Sequence, residues 1–332
     1  MKAMVIDKYG KAALRLMEIP LPEVGEYEVL AEIRAASVNP LDSKIRNGEV
    51  KLLLDYKMPL VLGNDFSGVV AQVGAKVTRF KVGDEIYGRP HEKKIGTFAE
   101  YISVHEDDIA LKPENLSFVE AASIPLVGLT SYQALHDILH LQKGQKILIH
   151  AGAGGVGTFA IQLAKVMGAY VATTASEAGA DLVKSLGADK IINYKADKFE
   201  NILKNYDAAF DTLGGENLEK SFSVLKNGGE LVSVAGLPNG RFAKERELGF
   251  LKTMLLYAVS KKITGLEKKY DVRYTYLFMR SSGEQLKIIT ELIESGKIKP
   301  VIDRVFSFKE AQKAMEYSES GRAKGKIILA IK

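Results

Sequence analysis

The sequence predicts an α/β protein of two domains, one rich in short β-strands and one built on a parallel sheet. Three observations carry this. At 332 residues the chain exceeds the size at which a single hydrophobic core keeps growing. Before Pro125 the apolar runs are short, β-branched or alternating, with glycines and prolines between them. From Lys146 to about Val234 the texture changes, and apolar strands alternate with helix-like stretches.

In the first region, strands are expected over 3–6, 28–36, 68–73, 85–87 and 99–104, punctuated by Pro20, Pro22, Gly25, Gly74, Gly83 and Gly88. That spacing suits a compact barrel or sandwich rather than βαβ units. In the second region, strands over 146–151, 170–174, 190–192, 207–212 and 230–234 enclose helices over 156–167, 180–186, 198–204 and 218–225. Val156, Ala160, Leu163, Ala164 and Met167 recur at helical spacing, so the first helix lays an apolar stripe on a sheet. Strands joined by helical crossovers make that sheet parallel and doubly wound. The tail mixes types again: strand over 272–278, helix over 284–295, extended chain over 301–306, helix over 309–320 and a closing strand over 326–331. It is expected to rejoin the first domain, giving domains 1–125, 126–265 and 266–332, the middle one an insertion. Segments 40–58 and 240–270 read as loops.

Composition excludes several functions. The chain has no cysteine, which removes disulfides, thiolate nucleophiles and cysteine-ligated zinc. A net charge of +5 without a long basic run argues for no nucleic-acid partner; Lys93-Lys94, Lys261-Lys262 and Lys268-Lys269 are pairs on a solvated surface. The N-terminal MKAMVIDKYG has no signal-peptide core. The longest apolar stretch, 248–259, is short and carries Lys252. No membrane span and a cytoplasmic location are therefore expected. His136 and His140 share a helical face, but no third ligand is recognisable near them, so no metal site is expected.

The strongest motif is Gly152-Ala153-Gly154-Gly155-Val156-Gly157, set between a predicted strand and a predicted helix. Glycine there permits a tight turn, close approach of backbone to a pyrophosphate, and close helix–strand packing. The helix N-terminus adds free amides and partial positive charge. In this context the motif is that of a Rossmann dinucleotide site. The next strand ends in Thr174-Ala175-Ser176, where an NAD site usually places an acid. Small hydroxyl residues leave room for a 2′-phosphate and favour NADPH, although Glu177 follows and no lysine or arginine comes before Lys184. Ala235-Gly236, just past the fifth strand, falls at the carboxyl edge where open α/β sheets bind ligands.

With these residues in place, the chain resembles a medium-chain dehydrogenase/reductase of the zinc-independent quinone or enone reductase group. The likeness spans essentially the full length, through AASVNPLDSKIRNG (35–48), PLVLGNDFSGVVAQVG (59–74), GTFAEY (96–101), AASIPLVGLTSYQAL (121–135), the glycine motif, and GKIKPVIDRVFSFKEAQKAMEYSESGRAKGKIIL (296–329). It implies a GroES-like β-barrel catalytic domain, an inserted Rossmann domain, a cofactor cleft between them and a homodimer, with the strand near Tyr274–Met279 as its interface. Where zinc-dependent relatives carry metal-ligating cysteine and a Gly-His-Glu segment, this chain reads Ala36-Ser37-Val38-Asn39 and Gly63-Asn64-Asp65. Asn and Ser are poor zinc ligands next to Cys and His. Without a Lewis acid an alkoxide is poorly stabilised, whereas a conjugated acceptor delocalises its charge, so a quinone or enone substrate is favoured.

The resemblance also implies roles for single residues. Asn39 and Asp42 belong beside the nicotinamide, with an Asx turn before Pro40 as Asn39's structural alternative. Lys44, a lysine also in plant alkenal/enone reductases, either stabilises an enolate, donates a proton or is a solvated helix lysine. Thr130 meets the nicotinamide or its ribose, or bonds its own helix carbonyl. Tyr194 packs near the 2′-phosphate with Ser176. Phe278 and Met279 line the cleft, or are core of an edge strand. Lys326, with Arg322 and Lys324, supplies charge to cofactor or substrate, or is surface. His91 is an unassigned proton donor. The rival readings are a zinc-independent alcohol or aldehyde oxidoreductase, and a non-enzymatic cofactor- or nucleic-acid-binding protein.

Overall fold

The computed structural model describes residues 1–11 and 13–332. The chain forms two compact units, Met1–Leu129 with Arg280–Lys332, and Thr130–Met279.

The second unit is a six-stranded parallel sheet in the order Lys190–Asn193, Tyr170–Ala175, Lys146–Ile149, Tyr206–Asp211, Leu225–Ser233, Val272–Tyr276. The strands are apolar because helices cover them. Leu148, Ala172, Ala209 and Leu231 from the sheet pack with Phe199, Leu218 and Phe222 from the connections. Strand Val272–Tyr276 pairs in parallel with Leu225–Ser233, so the expected return at residue 266 comes too early. A short β-branched run carries no sign of which sheet it joins. Segment 240–270 is helical, not a loop: Gly240–Glu245, Phe250–Val259 and Lys261–Tyr270. Asn239 caps the first, its side chain accepting from the Phe242 amide. Past the edge strand, the Tyr274 amide donates to Glu267 (2.9 Å) and its carbonyl accepts from Arg241 (3.2 Å). The ion-paired Arg241 and Glu267 thus blunt an otherwise open edge.

The first unit has a seven-stranded, mostly antiparallel sheet and a three-stranded one. Strand Glu28–Val38 is central, antiparallel to Asp65–Val73, Tyr101–His105 and Lys326–Ala330. Its side chains are nearly all buried, with Glu32 and Arg34 the half-buried exceptions. Strands Ile302–Ser307 and Lys326–Ala330 run parallel, with helix Ala311–Glu319 between them in sequence. That helix contributes Ala311, Ala314 and Met315 to a core with Ala36, Val38 and Leu329. Helix Pro40–Asn47 starts where Glu28–Val38 ends, with proline at a first-turn position that needs no amide. Among the described residues, no helix is long and apolar enough to cross a membrane.

Candidate active site

In the second unit, strand Lys146–Ile149 leads through the glycine turn into helix Gly155–Val166. Ala151 takes a positive φ of 50°, and the Gly152 amide donates to the Thr174 carbonyl (3.0 Å). A Cβ at Gly157 would lie 2.3 Å from the Ala151 carbonyl oxygen, and one at Gly152 would lie 2.2 Å from Thr173 Oγ1. These two glycines make the fold. Gly154 differs: a Cβ there would meet only the Ala151 carbonyl oxygen, at 3.3 Å. Ala153, Gly154, Gly155 and Val156 are half-buried, and the Gly154 amide is spent on the Ala151 carbonyl (2.9 Å). First-turn amides of a helix have no intrahelical acceptor and attract anions. The residues present fit a pyrophosphate.

Sequence reasoning missed Gly179, where a Cβ would stand 2.9 Å from that of Ala153. A glycine in a helical stretch gives no hint that it seats the next helix against the turn. That helix, Glu177–Ser185, is N-capped by Ser176, whose half-buried side chain makes no cap bond and stays available. Tyr194, 59% exposed, follows strand Lys190–Asn193, and its amide donates to the Ala175 carbonyl (3.3 Å). Ser176 and Tyr194 are therefore neighbours, and exposed Lys195 comes next. Thr174 has a buried hydroxyl that accepts from the Ala151 amide (3.1 Å) and lies 3.2 Å from His150 Nδ1, so it ties the turn to the sheet. Burial pushes the His150 imidazole down to about 4, with Asp211 pulling the other way.

At the same sheet edge, Asp211 accepts from the Leu213 and Gly214 amides and from Ser233 Oγ (2.6 Å). Ser233 Oγ in turn accepts from the Ala235 and Gly236 amides, so those amides are spent internally. Half-buried Phe278 has Arg246 stacked 4.4 Å above its ring, and Met279 follows it. Thr130 is buried in helix Pro125–Tyr132, which continues into the π-helical turn Gln133–Ile138; such turns cluster at functional sites.

In the first unit, strand register builds a second cluster. Ser37 pairs with Asp65, and Ile327 pairs with Val38, which brings Lys326 beside Asn39. Asp65 is the hub. It accepts from Ser37 Oγ (2.6 Å), Asn39 Nδ2 (2.9 Å), the Leu126 amide (2.6 Å) and Lys326 Nζ (3.3 Å). Lys326 Nζ also donates to Asn39 Oδ1. Lys326 is only 4% exposed, so the solvated-surface alternative falls for it. Desolvation pulls its ammonium below the ordinary lysine range, against the attraction of Asp65 and Asp42. Asn39 spends both ends of its amide inside this network.

Asp42 accepts from the Asn39 amide (2.7 Å) and from Asn64 Nδ2 (2.7 Å). Desolvation raises its carboxyl to about 7, against those two hydrogen bonds; Asp65 adds to the rise and Lys326 opposes it. Lys44, half-buried in the last turn of helix Pro40–Asn47, stands outside the network, with no ion pair among the described residues. His91 is half-exposed, with Nε2 3.3 Å from Glu92. Asn64 and Asp65 were legible only as substituted metal ligands, and nothing in the sequence marked Asp65 as the hub.

A glycine turn at a parallel-sheet edge, with hydroxyls ending the next strand, defines a dinucleotide-dependent oxidoreductase. Residues 25–114 match the alcohol dehydrogenase GroES-like domain, and residues 186–329 match the zinc-binding dehydrogenase domain. The chain is 39% identical to the 2-methylene-furan-3-one reductase of Solanum lycopersicum, over 99% of this chain and 79% of that protein. It is 37% identical to the chloroplastic NADPH-dependent alkenal/one oxidoreductase of Arabidopsis thaliana, over 99% and 79% respectively. The quinone oxidoreductase structure from Coxiella burnetii superposes with a TM-score of 0.85 at 34% identity, over 100% of this chain and 99% of that one. The chain belongs to the medium-chain dehydrogenase/reductase family, in its quinone oxidoreductase and alkenal/enone reductase group.

The zinc implied by one matching domain's description does not fit the residues present. The positions expected to ligate it hold Ser37, Asn39, Asn64 and Asp65, with the Lys326 ammonium hydrogen-bonded to Asn39 and Asp65. A fixed cation there opposes a second one.

Proposed function

We propose that the chain is a zinc-independent, NADPH-dependent reductase that delivers hydride to a quinone or to the C=C bond of an α,β-unsaturated carbonyl compound. The observation that carries this is the buried Lys326 ammonium on Asn39 and Asp65, which supplies fixed positive charge where metal-using relatives need ligands. When bound, the reduced nicotinamide supplies a hydride that adds to the acceptor's β-carbon and leaves charge on its oxygen. Delocalised charge of that kind needs polar donors rather than a Lewis acid.

The residues divide by role. The turn Gly152, Ala153, Gly154, Gly155, Val156 and Gly157 holds the pyrophosphate, its glycines shaping the backbone and the amides of Ala153, Gly155 and Val156 offered to the phosphates. Ser176 and Tyr194 hold the 2′-phosphate, with Lys195 as the cation that counting along the chain from the glycines did not reach. Thr130, Ala235, Gly236, Phe278 and Met279 bound the nicotinamide end. Asn39 and Asp42 are positioning residues for the acceptor, Lys326 sets the charge around them, and Lys44 is the candidate proton donor to the α-carbon. A cytoplasmic homodimer without nucleic-acid partners fits the modest net charge. Exposed Phe250, Leu251 and Met254 offer apolar surface for a second copy.

The test is NADPH oxidation under anaerobic conditions with an enal, an enone and a quinone, before and after chelation. Turnover of at least one, unchanged by the chelator and without zinc in the purified protein, is expected. Turnover of none, or zinc at one equivalent, defeats the reading.

A further inference from the structure

Three buried polar atoms without partners gather around residues 63–65. Strand register sets Phe66 opposite Gly88, so the next residue, Arg89, flanks Asp65. Its side chain is 3% exposed, and its buried Nε has no hydrogen-bond partner. Nη1 donates to the Pro90 carbonyl (2.9 Å), and the Glu92 carboxylate stands 3.9 Å away, outside hydrogen-bond reach. The other two atoms are Asn64 Oδ1 and Thr97 Oγ1. The Thr97 amide donates to the Gly63 carbonyl, and a Cβ on Gly63 would meet Thr97 Oγ1 at 2.3 Å, so both lie at the same turn.

Glu92 pairs with this guanidinium at Nη1, but no neighbouring acid accepts from Nε. Asp65 is engaged with Lys326, and Asp108 accepts from the His91 amide (3.0 Å) and Ser281 Oγ. Glu92 is shared with His91, and Tyr56 reaches only the Glu92 carbonyl. A buried guanidinium with an idle Nε donor costs the fold free energy unless an acceptor completes it. Burial indeed pulls the Arg89 pKa down, against Glu92, Tyr56, Asp65 and Asp108. The Nε edge of arginine matches the two oxygens of a carboxylate, and a neutral carbonyl would use only one donor.

We propose that Arg89 is a specificity-determining residue that receives a carboxylate on the acceptor, so that the enzyme acts on unsaturated carbonyl compounds bearing an acid group. The inference rests on the reductase reading for its substrate. Its recognition step is open to test without turnover. Thr97 and Asn64 then offer a hydroxyl donor and an amide acceptor to the remaining polar groups of the same molecule.

The full-length protein with saturating NADP⁺ is titrated calorimetrically with 4-oxopentanoate and with its methyl ester, neither of which can be reduced at a C=C bond. Wild type is expected to bind the acid at least about tenfold more tightly, which is about 1.4 kcal/mol. In Arg89→Gln the acid and ester should converge, and Arg89→Lys should keep part of the gap, since charge remains and the paired donors are lost. Within each variant the acid-to-ester ratio cancels a general loss of folded protein. Equal binding of acid and ester by wild type, or an undiminished gap in Arg89→Gln, overturns the proposal. Steady-state reduction of 4-oxo-2-pentenoate, its methyl ester and menadione separates the two readings. If menadione and the ester turn over and the acid has no lower KM, recognition by Arg89 fails and the reductase stands. If none turns over, the reductase reading fails and the calorimetric ratio still decides Arg89.

Discussion

The two units build their sites from different materials. In the second, the groups proposed to meet a ligand are backbone amides, in a turn whose Gly152 and Gly157 no other residue could replace without collision. In the first, they are side chains that hold one another: Ser37, Asn39, Asp42, Asn64, Asp65 and Lys326, drawn from three strands and one helix start. A backbone site tolerates any side chain that stays out of the way. A side-chain network fails when one member is lost, because the others are buried with charge they no longer balance.

Lys326→Met should therefore produce the largest loss. Asp65 keeps its bonds from Ser37, Asn39 and Leu126 but loses its cation in full burial, at a cost of about 3–5 kcal/mol. Lys326→Met with Asp65→Asn removes both charges and should recover much of that loss. Urea denaturation followed by circular dichroism checks both. A single variant within about 0.5 kcal/mol of wild type, the range of an ordinary surface change, would show that the two regions do not differ in this way.

Within the second unit the comparison sharpens to two glycines. Gly157→Ala drives a Cβ into the Ala151 carbonyl, overpacking that typically costs about 1–3 kcal/mol, and should weaken NADPH as well. Gly154→Ala meets only one backbone oxygen, at 3.3 Å, so stability should hold. Its methyl stands where phosphate oxygens approach, and about a tenfold loss in Kd, 1.4 kcal/mol, is expected. Titrations of NADPH alongside thermal melts separate fold from site. Equal melting-temperature losses in both variants would contradict the assignment.

A smaller effect tests the coenzyme choice. Ser176→Asp places a carboxylate at the N-cap of helix Glu177–Ser185, a position aspartate suits, so stability should not fall. The same charge opposes a 2′-phosphate, and the NADPH-to-NADH ratio of kcat/KM should drop by about tenfold or more, at least 1.4 kcal/mol. An unchanged ratio would move the 2′-phosphate away from Ser176.

The same division explains what could be read from the sequence. The glycine turn, its flanking strand and helix, and Ser176 all fall between Lys146 and Ser176 and spell their geometry locally. Thr174 shares that window, but its hydroxyl is taken up by the Ala151 amide, and a motif does not state which hydroxyls the turn itself uses. The first unit's network was opaque because Asn39, Asp65 and Lys326 are brought together only by strand register. Lys326 looked like one of several surface lysines until pairing with strand Glu28–Val38 buried it. Helices over 240–270 were also missed: the apolar residues of Phe250–Val259 are largely exposed and give no single stripe, whereas Ile263, Leu266 and Tyr270 do form a core-facing stripe that was overlooked.

The smallest effect sets the two units against each other through protons. Asp42, raised to about 7, is protonated in the folded protein over a range where the unfolded chain has released its proton. Its contribution to stability therefore falls as pH rises from about 4 to 7. His150, lowered to about 4, has the opposite sign: its contribution is complete above about 6.5 and is lost as pH falls toward 4. Between pH 4.5 and 6.5 the two slopes oppose. Asp42→Asn removes the first and keeps the shape, since Asn64 can turn its unpartnered Oδ1 toward the new amide. Melting temperature should then rise more steeply with pH in the variant than in wild type, by a few degrees across the window, given about 2–4 °C per kcal/mol for a domain of this size. Parallel curves would mean that Asp42 titrates near the ordinary carboxylate value and that the Asn39 and Asn64 bonds outweigh its burial.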